Sequence, residues 1–240
     1  MLIEDQVART LSSKTSKTVK EIYSAGKSLS EKDYSVIEEV AKKLSHPSLF
    51  YVDTAGTVEQ IKNTILFFIE EQKLKEKNLG LVVTIDHLLL TKGREGEAEK
   101  AIVDDLMYML VDLKKQCASE GVRTMFLCLS QLNRSIEDPE RVSTPMLHYP
   151  NRNDIFASSA VYTCSDYVMI THRPADLVGL GKFYGPPKEG YPKGWPVKNP
   201  TDPKKDMIYW HVIKERFGKP IILFLTENFE HSRIEEYSLY

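Results

Sequence analysis

Leu81-Val82-Val83-Thr84-Ile85-Asp86 decides the fold: five apolar or β-branched residues, then a carboxylate. A run of this kind, too short for a helix, predicts a buried central strand of a parallel sheet. Asp86 then stands at the strand's C-terminal end, where α/β sheets carry their ligands. Beyond a Gly- and Arg-containing loop at 91–96, Ile102, Leu106, Met109, Leu110, Leu113 and Cys117 share one face of a long helix that Gly121 stops. Residues 124–129 are a second buried strand, ended by the polar cluster Ser130, Gln131, Asn133 and Arg134, with a polar loop from there to about Pro150.

Outward from this β-α-β unit the alternation continues. Leu2, Ile3, Val7 and Leu11 predict an amphipathic helix without an N-cap, and Ser30 with Glu31 and Asp33 caps a helix through Leu44 that His46-Pro47 ends. Residues 49–52 read as a short strand, and Thr57 caps a helix with Ile61, Ile65, Phe68 and Ile69 on one face. Downstream, 154–163 reads as a short helix and 166–171 as a strand. Residues 179–203, dense in Gly and Pro, read as a mobile insertion whose composition resists helix and sheet. The runs 207–214 and 220–225 form a hairpin around Glu215-Arg216-Phe217-Gly218-Lys219. The expectation is a single α/β domain over 1–240, a three-layer sandwich whose mostly parallel sheet ends in an antiparallel hairpin.

Composition narrows the class. A chain of 240 residues, 42% hydrophobic and 28% charged, can bury a full core, and no apolar run approaches bilayer length. A soluble, cytoplasmic protein is expected, with no membrane partner. Cys117, Cys128 and Cys164 lie far apart without a C-x-x-C pair, so neither a disulfide framework nor a zinc site is indicated. A formal net charge of -2 argues against coating nucleic acid by bulk positive charge, so any DNA contact is local.

The 81–86 strand has the form that holds magnesium through its water shell, although apolar strands ending in Asp are common in α/β proteins. The amide of Gln131 at the next strand's end suits sensing a phosphate, or simply caps a loop. Together, Ile85-Asp86-His87-Leu88-Leu89-Leu90 followed by Ser130-Gln131-Leu132-Asn133-Arg134 resembles the DnaB-type replicative helicases. Leu29-Ser30-Glu31-Lys32-Asp33-Tyr34 resembles that family's Leu-Ser-Asp-Glu-Asp-Trp stretch, and Lys214-Glu215-Arg216-Phe217-Gly218 its Lys-x-Arg-x-Gly turn. The likeness spans nearly the whole chain outside 179–203.

The resemblance implies a RecA-like motor using ATP and Mg2+. Asp86 would coordinate the metal, and Gln131 would couple the γ-phosphate to the DNA loops. Lys214 and Arg216 would reach a neighbouring subunit's nucleotide, where cations supplied in trans stabilise the transferring phosphoryl group. Loops at 91–99 and 132–159 would face single-stranded DNA, with Lys92, Arg94, Arg141, Arg152, Ser158 and Ser159 as contacts to phosphate. The implied partners are further copies in a ring, a hexamer in the full-length protein, together with a primase and a helicase loader of a bacterium or phage.

Two departures qualify this. No G-x-x-x-x-G-K-[ST] loop occurs, and Ala25-Gly26-Lys27-Ser28 lacks the first glycine and follows no apolar strand. With the catalytic glutamate also expected ahead of Met1, the isolated chain should lack ATPase activity. Phe156 stands where the family has arginine, and Tyr162 replaces an acid, which weakens the DNA-contact segment more than the nucleotide site. The alternative is a non-catalytic RecA-fold subunit for DNA binding or oligomerisation.

Overall fold

The computed structural model describes residues 3–15, 17–24, 29–44, 49–73, 78–156 and 158–237. The 25–28 stretch and the turn at His46-Pro47 lie outside them. The chain divides into two compact units, one of Met1–Thr54, Thr171–Trp210 and Ile222–Tyr240, the other of Ala55–Ile170 and His211–Ile221.

In the first unit, α1 (Ile3–Lys14) is followed by α2 (Val19–Tyr23), which Thr18 opens with a reciprocal cap to Glu21. Then comes α3 (Glu31–Leu44). Ser30 caps it as its sequence predicts: Asp33 N–H donates to Ser30 Oγ, and Ser30 N–H donates to Asp33 at 2.8 Å. The expected strand at 49–52 does not form. Leu49, Phe50, Tyr51 and Val52 are exposed, and no described strand pairs with them, so β-propensity has no sheet to act in.

The second unit carries α4 (Val58–Lys73), β1 (Gly80–Ile85), α5 (Glu99–Ser119), β2 (Arg123–Cys128), α6 (Pro139–Ser143) and α7 (Ser158–Cys164). Thr57 caps α4 reciprocally with Gln60. β1 and β2 pair in parallel from Gly80↔Arg123 to Ile85↔Cys128. Gly121 makes the turn between α5 and β2 at φ +74, a region open to glycine without a Cβ clash. Ile65, Ile69, Val103, Leu106, Leu110, Leu113 and Val122 form one buried core with Val168 and Ile170 of β3 (Tyr167–His172). Leu81, Val83, Ile85, Phe126 and Cys128 pack onto it from β1 and β2.

The remaining strands are β4 (Phe183–Tyr184), β5 (Trp195–Pro196), β6 (Met207–Glu215), β7 (Ile221–Asn228) and β8 (Arg233–Glu236). The α/β class holds, but the mostly parallel sheet does not. β1–β2 is a parallel pair by itself, while the four-stranded sheet in the order β3-β6-β7-β8 is antiparallel. Arg216 N–H donates to Asp166 O, which sets the end of β6 beside the start of β3. The connection from β6 to β7 is far too short for the crossover that parallel strands need. Residues 179–203, read as resisting sheet, instead form the antiparallel β4–β5 pair, with Tyr184 and Trp195 buried against Tyr209.

Candidate functional site

Asp86 follows the last residue of β1, and Gln131 stands just beyond the end of β2. Because the two strands are parallel and in register, both residues stand at the same edge of the second unit. The backbone closes that edge: Leu129 N–H donates to Ile85 O and Leu88 N–H to Leu129 O, each at 3.0 Å. Both side chains are exposed, as residues that receive a soluble ligand must be.

His87, to which the sequence reading gave no role, lies between them. Its Nε2 is 3.4 Å from Gln131 Nε2, an amide-to-imidazole hydrogen bond when the ring proton is on Nδ1. Nδ1 itself is buried without a hydrogen-bond partner among the described residues. The only signal in the sequence was its position directly after Asp86.

Gln131 is also tied by its backbone to the loop before α7. Phe156 N–H donates to Gln131 O at 3.1 Å, and Asn133 donates from its backbone to Asp154 O and from its side chain to Asn153 O. Arg152 is exposed on this loop, and Ser159 is exposed in the first turn of α7. Ser158 begins the same helix. Lys92 and Arg94 are exposed on the other loop, where Lys92 N–H donates to Gly56 O and Arg94 N–H to Glu97 at 2.8 Å. Arg141 is not available for phosphate. Its guanidinium is bidentate to buried Asp154 at 2.5 and 2.8 Å and donates to the carbonyls of Leu147 and Tyr149.

Lys214 and Arg216 are elsewhere. Lys214 Nζ donates to the carbonyls of Tyr162 and Thr163 in the last turn of α7 and sits 4.9 Å from the Tyr162 ring centroid. A cation there meets the negative end of the helix. Arg216 pairs with Asp166 at 2.8 Å, and Lys114 reaches the same carboxylate at 2.6 Å. The Lys114 hydrogen bond, with the charges of Lys114 and Arg216, holds the Asp166 carboxyl below the usual aspartate range. Lys114 is near the C-terminal end of α5, which leads into the start of β2, so this cluster occupies the edge opposite Asp86. Six residues of strand separate the two edges, about 20 Å at roughly 3.3 Å per residue.

An acid and an amide thus stand at the C-terminal ends of two parallel strands, the place where open α/β sheets commonly carry ligands. The model of the DnaB-like helicase C terminal domain matches residues 1–220, and the chain belongs to that family. Among solved structures, one described as an "ATPase Domain" is similar with a TM-score of 0.70 and 18% identity, over 99% of this chain and 72% of that one. "The Structure Of A DnaB-Like Replicative Helicase And Its Interactions With Primase" is similar with a TM-score of 0.68 and 17% identity, over 99% of this chain and 49% of that one. This chain thus spans about half the length of that helicase. No curated protein matches.

Proposed function

We propose that this chain is the larger part of a DnaB-like replicative helicase motor, which as a ring uses ATP to move along single-stranded DNA. The observation that carries the reading is the separation of two groups: Asp86 and Gln131 at one edge of the strands, Lys214 and Arg216 at the other. One copy cannot bring them together, whereas a neighbour's cations can approach from outside, which is what catalysis at a subunit interface requires. On this reading Gln131, linked to His87 on one side and to the Arg152 loop on the other, would relay nucleotide state to DNA. The same reading implies a cytoplasmic protein of a bacterium or phage, with self-assembly to a hexamer in the full-length form and contacts to a primase and a loader. Among the described residues no helix is long and apolar enough to cross a membrane.

ATP and Mg2+ are the cofactors of this reading. One exposed carboxylate suits magnesium, which keeps several waters and takes one or two carboxylates plus substrate phosphates. Among the described residues no three His, Cys, Asp or Glu side chains are grouped to hold a metal alone, so phosphate oxygens would complete the shell. The phosphate cradle does not fit: the sequence holds no G-x-x-x-x-G-K-[ST] loop, and no hydrolytic step follows from these residues by themselves. That absence favours one second reading, a non-catalytic subunit that keeps the fold for DNA binding or oligomerisation.

Steady-state ATP hydrolysis, with and without single-stranded DNA, separates the two. The comparison is between the 240-residue chain and the polypeptide extended by whatever its gene encodes ahead of residue 1. DNA-stimulated hydrolysis in the extended form only, abolished by Asp86→Ala and by Arg216→Ala, establishes the motor. No hydrolysis by either form leaves the binding subunit.

A further inference from the structure

In the turn between β6 and β7, Arg216 is held at both ends by a single residue. Its backbone N–H donates to Asp166 O at 3.0 Å, and its guanidinium Nη1 lies 2.8 Å from Asp166 Oδ1. Phe217, Gly218 and Lys219, which follow it in the turn, are exposed. The other carboxylate oxygen, Asp166 Oδ2, is taken by Lys114 of α5 at 2.6 Å. Asp166 follows α7 by two residues, and Lys214 Nζ donates to carbonyls in the last turn of that helix. Both cations of the turn therefore lean on one end of α7. Exposed ion pairs contribute little to stability, but this one has a second effect on Arg216. It removes rotamer freedom from a long side chain on a solvent-exposed turn while half of that side chain stays accessible.

Given Arg216 as a cation supplied in trans, the reading on which this step rests, we infer that Asp166 is a positioning residue: with Lys114 it aims the Arg216 guanidinium at the nucleotide of a neighbouring subunit. Asp166 Oδ1 occupies one end of the guanidinium fork, so its other N–H donors stay open to a phosphoryl oxygen. Lys114 has its own part in this. An acid paired with Arg216 alone would cancel the field that the guanidinium offers a phosphate, whereas two cations on one carboxylate leave the cluster net positive, and Lys214 adds to it. The Lys114 hydrogen bond, followed by the charges of Lys114 and Arg216, holds the Asp166 carboxyl below the usual range, so it stays ionised at neutral pH. A guanidinium fixed in advance loses less freedom on meeting the transferring phosphoryl group than one that must first be ordered.

Subunit mixing tests it, on the complete polypeptide that the gene encodes, with ATP hydrolysis read in the presence of single-stranded DNA. Asp166→Asn should lower kcat about tenfold or more and leave KM for ATP within about twofold, because a cation that serves the transition state adds little to ground-state binding. Asp166→Glu, which keeps the carboxylate, should recover part of the loss. Asp86→Ala disables the nucleotide side of an interface and leaves the Arg216 side intact. In mixed assemblies an Asp166→Asn subunit receives Arg216 from an Asp86→Ala neighbour, so hydrolysis should rise above that of either variant alone. A loss that mixing does not relieve lies within the subunit and overturns the inference, as does an unchanged kcat. Should Asp166→Asn not assemble, Lys114→Met, which leaves the Asp166–Arg216 pair in place, is carried through the same mixing and read by the same two outcomes. Wild-type protein without hydrolysis sinks the motor reading instead, and the positioning role with it.

Discussion

Arg141 shows how a cation in a polar loop can be structural rather than functional. Its bidentate pair with Asp154 is almost enclosed, and Asp154 also accepts from Asn151 N–H at 2.6 Å, so the pair fixes the loop that carries Arg152. Removing one partner of a buried pair leaves the other charge stranded, at about 3–5 kcal/mol. Arg141→Met should therefore lower the unfolding free energy read from urea titration by that amount, and Arg141→Met with Asp154→Leu by much less. Asp166 is a different case, because it is partly exposed and held by Lys114 and Arg216. Its folded pKa is lowered. The stability it contributes is thus present in full above the ordinary aspartate value of about 3.9 and is lost as pH falls below that through the folded value. Asp166→Asn should lower stability at neutral pH and flatten the acid limb of a stability-against-pH curve, so that variant and wild type converge below about pH 4. An unchanged acid limb would remove Asp166 from the account of how the Lys214–Arg216 turn is held.

At the scale of the element, the segment 179–203 departs furthest from its composition. Gly194 is at φ +90, and a Cβ there would meet Tyr184 O and Gly185 O within the β4–β5 hairpin. Gly194→Ala should cost more than the roughly 1 kcal/mol of an ordinary glycine replacement and be read as a lower thermal midpoint with loss of near-ultraviolet aromatic signal. The sequence hides this hairpin because its order comes from Tyr184, Trp195, Tyr209 and Phe224 meeting across distant segments. What periodicity and caps encode locally was legible: β1, β2, α5 and the reciprocal caps at Ser30 and Thr57 stand where the residues place them. Strand pairing was not legible. The 49–52 run has strand composition and no partner, while Arg233–Glu236 has little strand composition and becomes β8 through a turn with Ser232 at φ +50. Of the candidate site, the placement of Asp86 and Gln131 at neighbouring strand ends was legible, but the approach of His87 to Gln131 was not, since it arises only when two strands align.

For the whole molecule, charge decides how the proposed DNA strand would be held. With a formal net charge of -2 there is no bulk attraction to a polyanion, so the proposed DNA binding would come from local exposed cations. Lys92, Arg94 and Arg152 are the exposed cations proposed as contacts in these loops, Arg141 being engaged with Asp154. Each phosphate neutralised on a single strand contributes about -0.7 to the slope of log K against log salt, so three contacts predict a slope of about -2. Fluorescence anisotropy with a labelled oligothymidine across a salt series reads that slope directly. Replacing all three by Gln should bring it near zero, and each single replacement should remove about a third of it, with little dependence on base sequence because the contacts are to phosphate. A slope of about -2 that survives the triple replacement would move the DNA path to other cations of the chain. Sequence-dependent binding would contradict a translocating motor, which must grip every base alike.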